Sequence, residues 1–219
     1  MTKSITLGAA IAAILASGIA TAGSSVNAGA TTNYLWRGVT QSSDTASVFG
    51  GADYAHDSGA YAGIWLGSLV GGQEMDVYGG YAGEIGGIGY DVGVITYQYT
   101  LTPDINFTEV YLTGSYSIIS VGIHSTVDAG AANKDAAFDE GDLYVNASAD
   151  FDIGPFATSV FGGSYMFTND NKFGNGDLDY THYGISFTSG EVTVAVEKNS
   201  IEGDETARVV ATWSKSWDI

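Results

Sequence analysis

The chain has 219 residues, a net charge of −18 and no cysteine. Its length fits one domain, and the lack of thiols excludes a disulfide framework and a thiolate nucleophile. The acidic excess argues against binding of nucleic acid, whose phosphates need a basic surface. Only 15% of the residues are charged, whereas 31 are glycine and 14 are tyrosine. This composition favours β-structure, because aromatic and branched side chains suit a pleated surface.

The first residues have the pattern of a secretory signal peptide. Lys3 precedes the apolar stretch ITLGAAIAAILASGIA, and Ala20-Thr21-Ala22 forms an A-x-A cleavage site. Cleavage after Ala22 predicts an exported chain of residues 23–219. No later stretch offers the roughly 18 apolar residues that a membrane-spanning helix needs.

The rest of the chain alternates apolar and polar residues in short segments that end in clusters of Gly, Asn, Asp or Ser. This period of two predicts an all-β fold with about twelve strands and no linker between domains. The strands are expected near residues 29–41, 46–56, 59–69, 73–84, 88–100, 105–117, 119–128, 142–153, 155–168, 178–189, 191–200 and 206–219.

The predicted connections are of two kinds that alternate along the chain. Every second connection is tight, as in HDSG, EIGGIG, SYSI, DIGP and TSGE, whereas several of the others are long and polar, as in VDAGAANKDAAFDEGD and TNDNKFGNGD. Tight turns at one rim and long loops at the other are typical of a transmembrane β-barrel of the bacterial outer membrane. The pattern therefore predicts a single antiparallel barrel with both termini on the periplasmic side.

The predicted strands also have one apolar and one polar face. In DLYVNASADFDIG, Leu143, Val145 and Phe151 share the apolar face, whereas Asn146 and Asp150 share the polar one. This alternation fits a soluble barrel with an apolar core as well. Such a barrel, however, would have an outer surface of Ser, Thr, Tyr and Gly, and soluble surfaces carry roughly 25–35% charged residues. Lipid around the apolar face and a polar lumen remove the difficulty.

The stretch NYLWRGVTQS places one of the 7 basic residues inside the first predicted strand. We expect Tyr34 and Trp36 to face lipid as girdle aromatics and Arg37 to face the lumen, because a charge on the lipid face would cost roughly 2–4 kcal/mol. The same reasoning predicts these pore-lining side chains: Arg37, Asp53, Glu74, Asp76, Asp91, Glu109, His124, Asp150, His182 and Arg208.

The C-terminal stretch ATWSKSWDI places Trp213, Trp217 and Ile219 on one alternating face. This pattern is like the terminal signal of barrels handed to the outer-membrane assembly machinery, although such signals commonly end in Phe.

Several stretches of the chain resemble a known family. NYLWRGVTQS, GGADYAHDSGAYAGIWLGS and MDVYGGYAGEIGGIGYDVGVITYQY resemble the TorF-type porins of proteobacteria, and ETARVVATWSKSW is similar to that family's closing strand. The resemblance implies an outer-membrane barrel and supplies no catalytic residues.

An enzymatic function has little support in the sequence. His124 and His182 are expected in the lumen near carboxylates and serines, as in hydrolases built on membrane barrels. No spacing singles out a nucleophile, however, and the G-x-S-x-G motif is absent. We therefore expect no enzyme.

A metal site has similarly weak support. The loop TNDNKFGNGDLD supplies Asp170, Asp177 and Asp179, whose oxygens are ligands of the kind that calcium takes. Phe173 stands where the calcium-loop motif needs Asp or Asn. We expect no cofactor, with at most loose binding of Ca²⁺ or Mg²⁺ by the acidic loops.

Three functions remain open at this point. The first is a passive channel for small hydrophilic solutes. The channel is expected to be narrow, because a barrel of about twelve strands lies between filled eight-stranded barrels and open pores of sixteen to eighteen strands. It is expected to prefer cations because of its luminal carboxylates. The second is a non-conducting barrel with a filled lumen, whose acidic loops contact lipopolysaccharide or another cell surface. The third is a soluble secreted β-protein, which would be extracted without detergent.

Overall fold

A computed structural model describes residues 23–102, 105–129, 138–169 and 178–219. In these residues twelve strands close into one antiparallel barrel, and two short strands form a separate sheet. This architecture confirms the predicted fold class. The predicted signal peptide, residues 1–22, lies outside the described residues. No helix of the described ranges is long and apolar enough to cross a membrane.

The barrel closes by pairing its first strand with its last. β1 lies between β14 and β4, and every other neighbouring pair in the barrel is consecutive along the chain. The barrel strands are β1 (Gly23–Thr31), β4 (Ser47–Ala55), β5 (Ala60–Leu69), β6 (Gly72–Ile85), β7 (Ile88–Tyr99), β8 (Phe107–Tyr116), β9 (Ile119–Ala129), β10 (Leu143–Ile153), β11 (Phe156–Met166), β12 (Tyr180–Ser189), β13 (Val192–Asn199) and β14 (Arg208–Asp218). The separate sheet consists of β2 (Leu35–Trp36) and β3 (Val39–Thr40).

The two rims of the barrel differ as predicted. One rim, the short-turn rim, has the connections 56–59, 86–87, 117–118, 154–155 and 190–191, and it also holds both ends of the described chain because Ser25 pairs with Asp218. The opposite rim, the long-loop rim, has the connections 32–46, 70–71, 100–106, 130–142, 167–179 and 200–207. The connection 70–71 on this rim is a two-residue turn with Gly71 at φ 78°.

The barrel is apolar on the outside and polar on the inside. Val48, Leu112 and Val209 are more than half exposed on the outer face, and many other large apolar strand residues are partly exposed there. On β10 the outward Phe151 alternates with inward Asn146 and Asp150, as the sequence pattern predicts. Outward aromatic side chains concentrate near the short-turn rim, among them Tyr54, Tyr81, Tyr116, Phe156 and Trp217.

The first predicted strand, 29–41, is wrong in its bounds. β1 begins earlier and ends at Thr31, after which the chain leaves the barrel wall. The reason is local: the Thr31 hydroxyl donates to the Asn33 carbonyl at 2.9 Å, and the Tyr34 amide donates to the Ser42 hydroxyl at 2.9 Å. Hydrogen bonds of this kind between side chain and backbone compete with the strand ladder.

Tyrosine rings on the inner wall lie flat over glycines of the neighbouring strand. A Cβ atom added at Gly63 would come within 2.5 Å of the Tyr78 ring, and one at Gly163 within 2.7 Å of the Tyr144 ring. The rings of Tyr61 and Tyr111 cover Gly80 and Gly93 in the same way. Because glycine allows this close approach, the rings lie along the wall.

Candidate functional site

Residues 32–46 fold back into the barrel as a hairpin, here called the luminal hairpin. Its two strands pair Leu35 with Thr40 and Trp36 with Val39, and Arg37-Gly38 form the two-residue turn. Both turn residues have positive φ, 50° and 84°, as a type I′ turn requires. The prediction that Tyr34 and Trp36 face lipid is therefore wrong: both lie inside the barrel, and Tyr34 is 5% exposed.

The base of the hairpin is held at the long-loop rim. Asn33 donates to Asp44 at 2.7 Å and accepts from the hydroxyls of Thr40 and Ser42 at 2.7 and 3.0 Å. Arg208, at the start of β14, binds this base by donating to Asp44 at 2.6 Å. The base is thus held together by its own hydrogen bonds and attached to the wall through Arg208.

Arg208 also joins the hairpin to the connection between β13 and β14. Its guanidinium donates to Asp204 at 2.5 Å as well as to Asp44. These hydrogen bonds from Arg208 lower the pKa of Asp44 and that of Asp204 below the ordinary carboxyl value. The predicted luminal Arg208 therefore lies at the rim and serves as a clamp between two connections.

Two further hydrogen bonds fix the hairpin to opposite sides of the wall. The Tyr34 hydroxyl donates to Glu74 of β6 at 3.1 Å. On the other side, the Asn199 side chain of β13 donates to the Gly38 carbonyl at 2.9 Å. Gly38 also packs so closely on His182 of β12 that a Cβ atom would lie 2.5 Å from the histidine Cβ. The hairpin therefore reaches across the lumen.

Arg37, at the tip of the hairpin, forms a bidentate ion pair with Glu109 of β8. Its terminal nitrogens donate to the two carboxylate oxygens at 2.8 and 2.5 Å, and the two side chains are 6% and 1% exposed. The guanidinium carbon lies 4.3 Å from the ring centre of Trp36 and 4.0 Å from that of Tyr144. Paired charges and aromatic faces together satisfy a cation that is removed from water.

An aromatic cluster fills the lumen around this ion pair. The Trp36 ring centre lies 5.8 Å from Tyr97, 6.0 Å from Phe107, 5.7 Å from Phe138 and 5.9 Å from Tyr165. Tyr165 is fully buried and Phe107 is 1% exposed. The hairpin therefore closes the lumen at this level together with Phe138, which stacks on Phe107 at 4.1 Å.

Two predicted luminal acids, Glu74 and Asp76, lie side by side on β6 next to the hairpin. Asp76 is fully buried, and among the described residues no donor reaches either of its carboxylate oxygens. Only one Glu74 oxygen accepts a hydrogen bond, the one from Tyr34. The pair therefore places two ionisable groups, without a charged partner in the part of the chain that the structure describes, side by side in the closed part of the lumen.

The remaining predicted acids lie between the hairpin and the short-turn rim. Asp53 accepts hydrogen bonds from the Tyr78 hydroxyl and, at 3.2 Å, from the side chain of Asn27. Asp91 accepts from the Tyr61 hydroxyl at 2.6 Å. Asp150 is exposed and accepts from Ser148 at 3.0 Å. This half of the lumen is acidic and lined by tyrosines, and Asp150 in it is exposed.

The two predicted luminal histidines both contact Tyr144 and differ in their carboxylate partners. His182 bridges the Tyr144 hydroxyl and the Glu197 carboxylate, with both contacts at 2.7 Å. His124 lies between the rings of Tyr111 and Tyr144 and is 3.5 Å from the Glu109 carboxylate. In the described residues neither histidine contacts a serine hydroxyl, so their geometry is that of wall residues in a polar network.

The loop considered for calcium is only partly described. Asp170 and Asp177 lie outside the described residues, and the Asp179 carboxylate accepts a hydrogen bond from the Phe167 amide at 2.7 Å. The described residues contain no group of three or more His, Asp or Glu side chains placed to hold a metal ion.

The sequence placed Arg37, Glu109 and His124 among the pore-lining residues but did not single out Glu109 as the partner of Arg37. The predicted pore-lining set also left out Glu197 and Asn199, which are inward on β13. The signal that could have revealed the hairpin is the Arg-Gly step followed by the polar cluster TQSSDT, which is a turn-and-loop pattern rather than a strand pattern.

The solved structures most informative for comparison are porins. The barrel is similar to the KdgM porin, with a TM-score of 0.56 and 9% identity over 89% of this chain and 99% of that one. KdgM in complex with disordered oligogalacturonate gives 0.54 and 8% identity over 90% and 99%, and the NanC porin gives 0.50 and 11% over 90% and 99%. At such identities the similarity concerns the fold alone.

Comparisons of sequence lead to a family rather than to a function. No curated protein matches the chain, and the resemblance to TorF-type porins stays a prediction. The profile of a family described as "Bacterial protein of unknown function (Gcw_chp)" matches residues 16–216. The chain is therefore a member of the Gcw_chp family.

Proposed function

We propose that the protein is an outer-membrane channel of the porin kind for small hydrophilic solutes, closed in the observed conformation by the luminal hairpin. The observation that carries the proposal is a closed barrel with mostly apolar side chains on its outer face and ionisable side chains inside. In water such an outer surface would be a large exposed apolar patch. In a membrane it is the surface that lipid requires.

The distribution of side chains supports one orientation in the membrane. Aromatic residues near the short-turn rim suit the membrane interface, and short turns with both termini are periplasmic in outer-membrane barrels. The outward Trp213 and Trp217 are then available to the barrel-assembly machinery during insertion. The long acidic loops lie at the cell surface, where divalent ions can bridge them to lipopolysaccharide.

The luminal charges favour neutral or cationic solutes. KdgM has been solved with oligogalacturonate, an acidic sugar chain. By contrast, Arg37 in the described part of this lumen is paired with Glu109, and Arg208 at the rim is paired with Asp44. The acids nearer the short-turn rim, among them Asp53 and the exposed Asp150, give the passage a negative potential, which attracts cations and repels acidic solutes.

The test is single-channel recording of the detergent-purified mature chain in planar bilayers, with the reversal potential measured under a KCl gradient. We expect rare openings for the wild type and frequent, cation-selective openings for Arg37→Ala, which frees the hairpin tip. Lys198→Ala is the matched control, since it removes a basic side chain from the outer face beside Tyr183. Anion selectivity of the open state would contradict the proposal.

A second function, that of a non-conducting barrel acting as a surface-interaction protein, is favoured by one observation. The lumen is filled around Trp36 and Arg37, and the filling is held by the ion pair with Glu109. The same recordings separate the two functions. If Arg37→Ala inserts as a folded barrel and stays silent, the filled lumen is permanent and the second function is the correct one.

A further inference from the structure

Arg37 stands in a turn position that its own backbone does not favour. Both residues of a type I′ turn need positive φ, and Asn-Gly or Asp-Gly is the usual choice. Arg37 adopts φ 50° in the first of these positions, where a long side chain gives no local compensation for the left-handed conformation. The residue is therefore placed for what its side chain binds, and not for the turn.

The wall supplies a complete receptor for that side chain from several strands. Glu109 of β8 provides two oxygens, Tyr144 of β10 lies over the guanidinium at 4.0 Å, and Tyr165 of β11 approaches it at 5.2 Å. His124 of β9 borders the carboxylate at 3.5 Å. All these residues belong to the barrel, whereas Arg37 belongs to a connection that enters from the rim.

When the hairpin leaves, the receptor is left with a net negative charge. Among the described residues, the other groups within reach of Glu109 are the hydroxyls of Tyr97 and Tyr165, at 3.3 and 3.5 Å, and the His124 ring, at 3.5 Å. These distances are long for hydrogen bonds. A buried carboxylate without a cation is strongly unfavourable. A solute that brings a matching cation to Glu109 would therefore stabilise the undocked state, because a ligand shifts an equilibrium towards the state that it binds better.

We infer that the wall site formed by Glu109, Tyr144 and Tyr165 binds solutes that carry a guanidinium group, and that Arg37 is the tethered competitor which occupies the site when no solute is present. The inference rests on the proposed channel function and names a solute class for it. The two carboxylate oxygens match the parallel N–H donors of a planar guanidinium, and the rings match its flat faces. A primary ammonium is a point charge that lacks this match.

The experiment measures binding directly, so that it does not depend on conduction. Ethylguanidinium, which reproduces the end of an arginine side chain, is titrated calorimetrically into detergent-purified barrels, with ethylammonium as the comparison ligand. We expect saturable binding of ethylguanidinium to Arg37→Ala, weaker by at least about tenfold for the wild type, where the site is free only in a minor population. The double variant Arg37→Ala/Glu109→Gln should lose this binding.

Folding of each variant is checked by the heat-dependent shift of barrels on gels, and Arg37→Gln replaces Arg37→Ala if the latter does not fold. No saturable binding to the Arg37 variant, equal binding to the double variant, or equal affinity for ethylammonium would overturn the inference. Binding in a barrel that never conducts would keep the site and refute the channel. Conduction by Arg37→Ala without ethylguanidinium binding would keep the channel and refute the site.

Discussion

The pairing of Arg37 with Glu109 predicts a large and strongly non-additive effect of mutation on stability. Both side chains are almost fully buried, and two charge-assisted hydrogen bonds of 2.8 and 2.5 Å join them. Removing one partner of a buried ion pair costs about 3–5 kcal/mol, because the other charge is left without compensation. We therefore expect Arg37→Met and Glu109→Gln each to lower the free energy of unfolding by about that amount.

The double variant separates the pair from its surroundings. Once Arg37→Met has been made, Glu109→Gln removes a charge that has lost its partner, so the double variant should cost little more than one single variant. The expected coupling energy is about 3 kcal/mol, at the upper end for residues in direct contact. Arg37→Lys, which keeps the charge and loses the bidentate hydrogen bonding of the guanidinium, should lower the free energy of unfolding less than Arg37→Met does.

The assay is urea unfolding of barrels in detergent micelles, followed by tryptophan fluorescence, with the slope compared between variants to confirm that the same surface is exposed. Lys198→Ala, on the outer face, should stay within about 0.5 kcal/mol of the wild type. Single variants that each cost less than about 1 kcal/mol and add up in the double variant would refute the reasoning. Such values are typical of solvent-exposed ion pairs and would mean that the hairpin is not docked.

Three other variants test separate parts of the structure by the same unfolding assay. Arg208→Gln should cost below about 1 kcal/mol at pH 7, since this rim pair is partly exposed. The cost should vanish in acid, because Arg208 lowers the pKa values of both carboxylate partners. The stabilisation by these ion pairs is full above the ordinary carboxyl pKa and is lost as the pH falls through the lowered values. An unchanged cost at pH 2 would contradict this. Asp76→Asn should raise the free energy of unfolding at pH 7 by about 1 kcal/mol, because no donor reaches this buried carboxylate, and a loss of stability would show that a cation or donor is bound there. Gly93→Ala should cost about 1–3 kcal/mol, because its Cβ would lie 2.7 Å from a backbone oxygen, whereas Gly114→Ala, whose Cβ meets nothing within 4 Å, should be neutral.

The sequence was sufficient for the barrel because two periodic signals agree. The alternation along each strand, as in the segment of Phe151 and Asp150, separates an apolar from a polar face, and the alternation of tight and long connections orders the rims. Both signals are local, and each is repeated along the whole chain. An error in one strand therefore leaves the architecture unchanged.

The hairpin could not be predicted in the same way. Tyr34, Trp36 and Arg37 continue the apolar–polar alternation of a strand, and period two alone does not distinguish a wall strand from a hairpin inside the barrel. What decides the fold is tertiary: Glu109 lies 72 positions away and Asn199 lies 161 positions from Gly38. Pairings at that separation depend on closure of the barrel, which brings the inward faces of β8 and β13 round the same axis.

The luminal hairpin, and not the wall, is proposed to close the lumen. Thr31 and Ser47 already face each other across β1 and β4, so residues 32–46 can be replaced by an Asn-Gly turn that suits a two-residue hairpin. The decisive measurement is the single-channel conductance of this shortened barrel beside the wild type. We predict steady, cation-selective current in the shortened barrel and mostly closed wild-type barrels. A shortened barrel that folds and inserts but carries no more current than the wild type would contradict the claim.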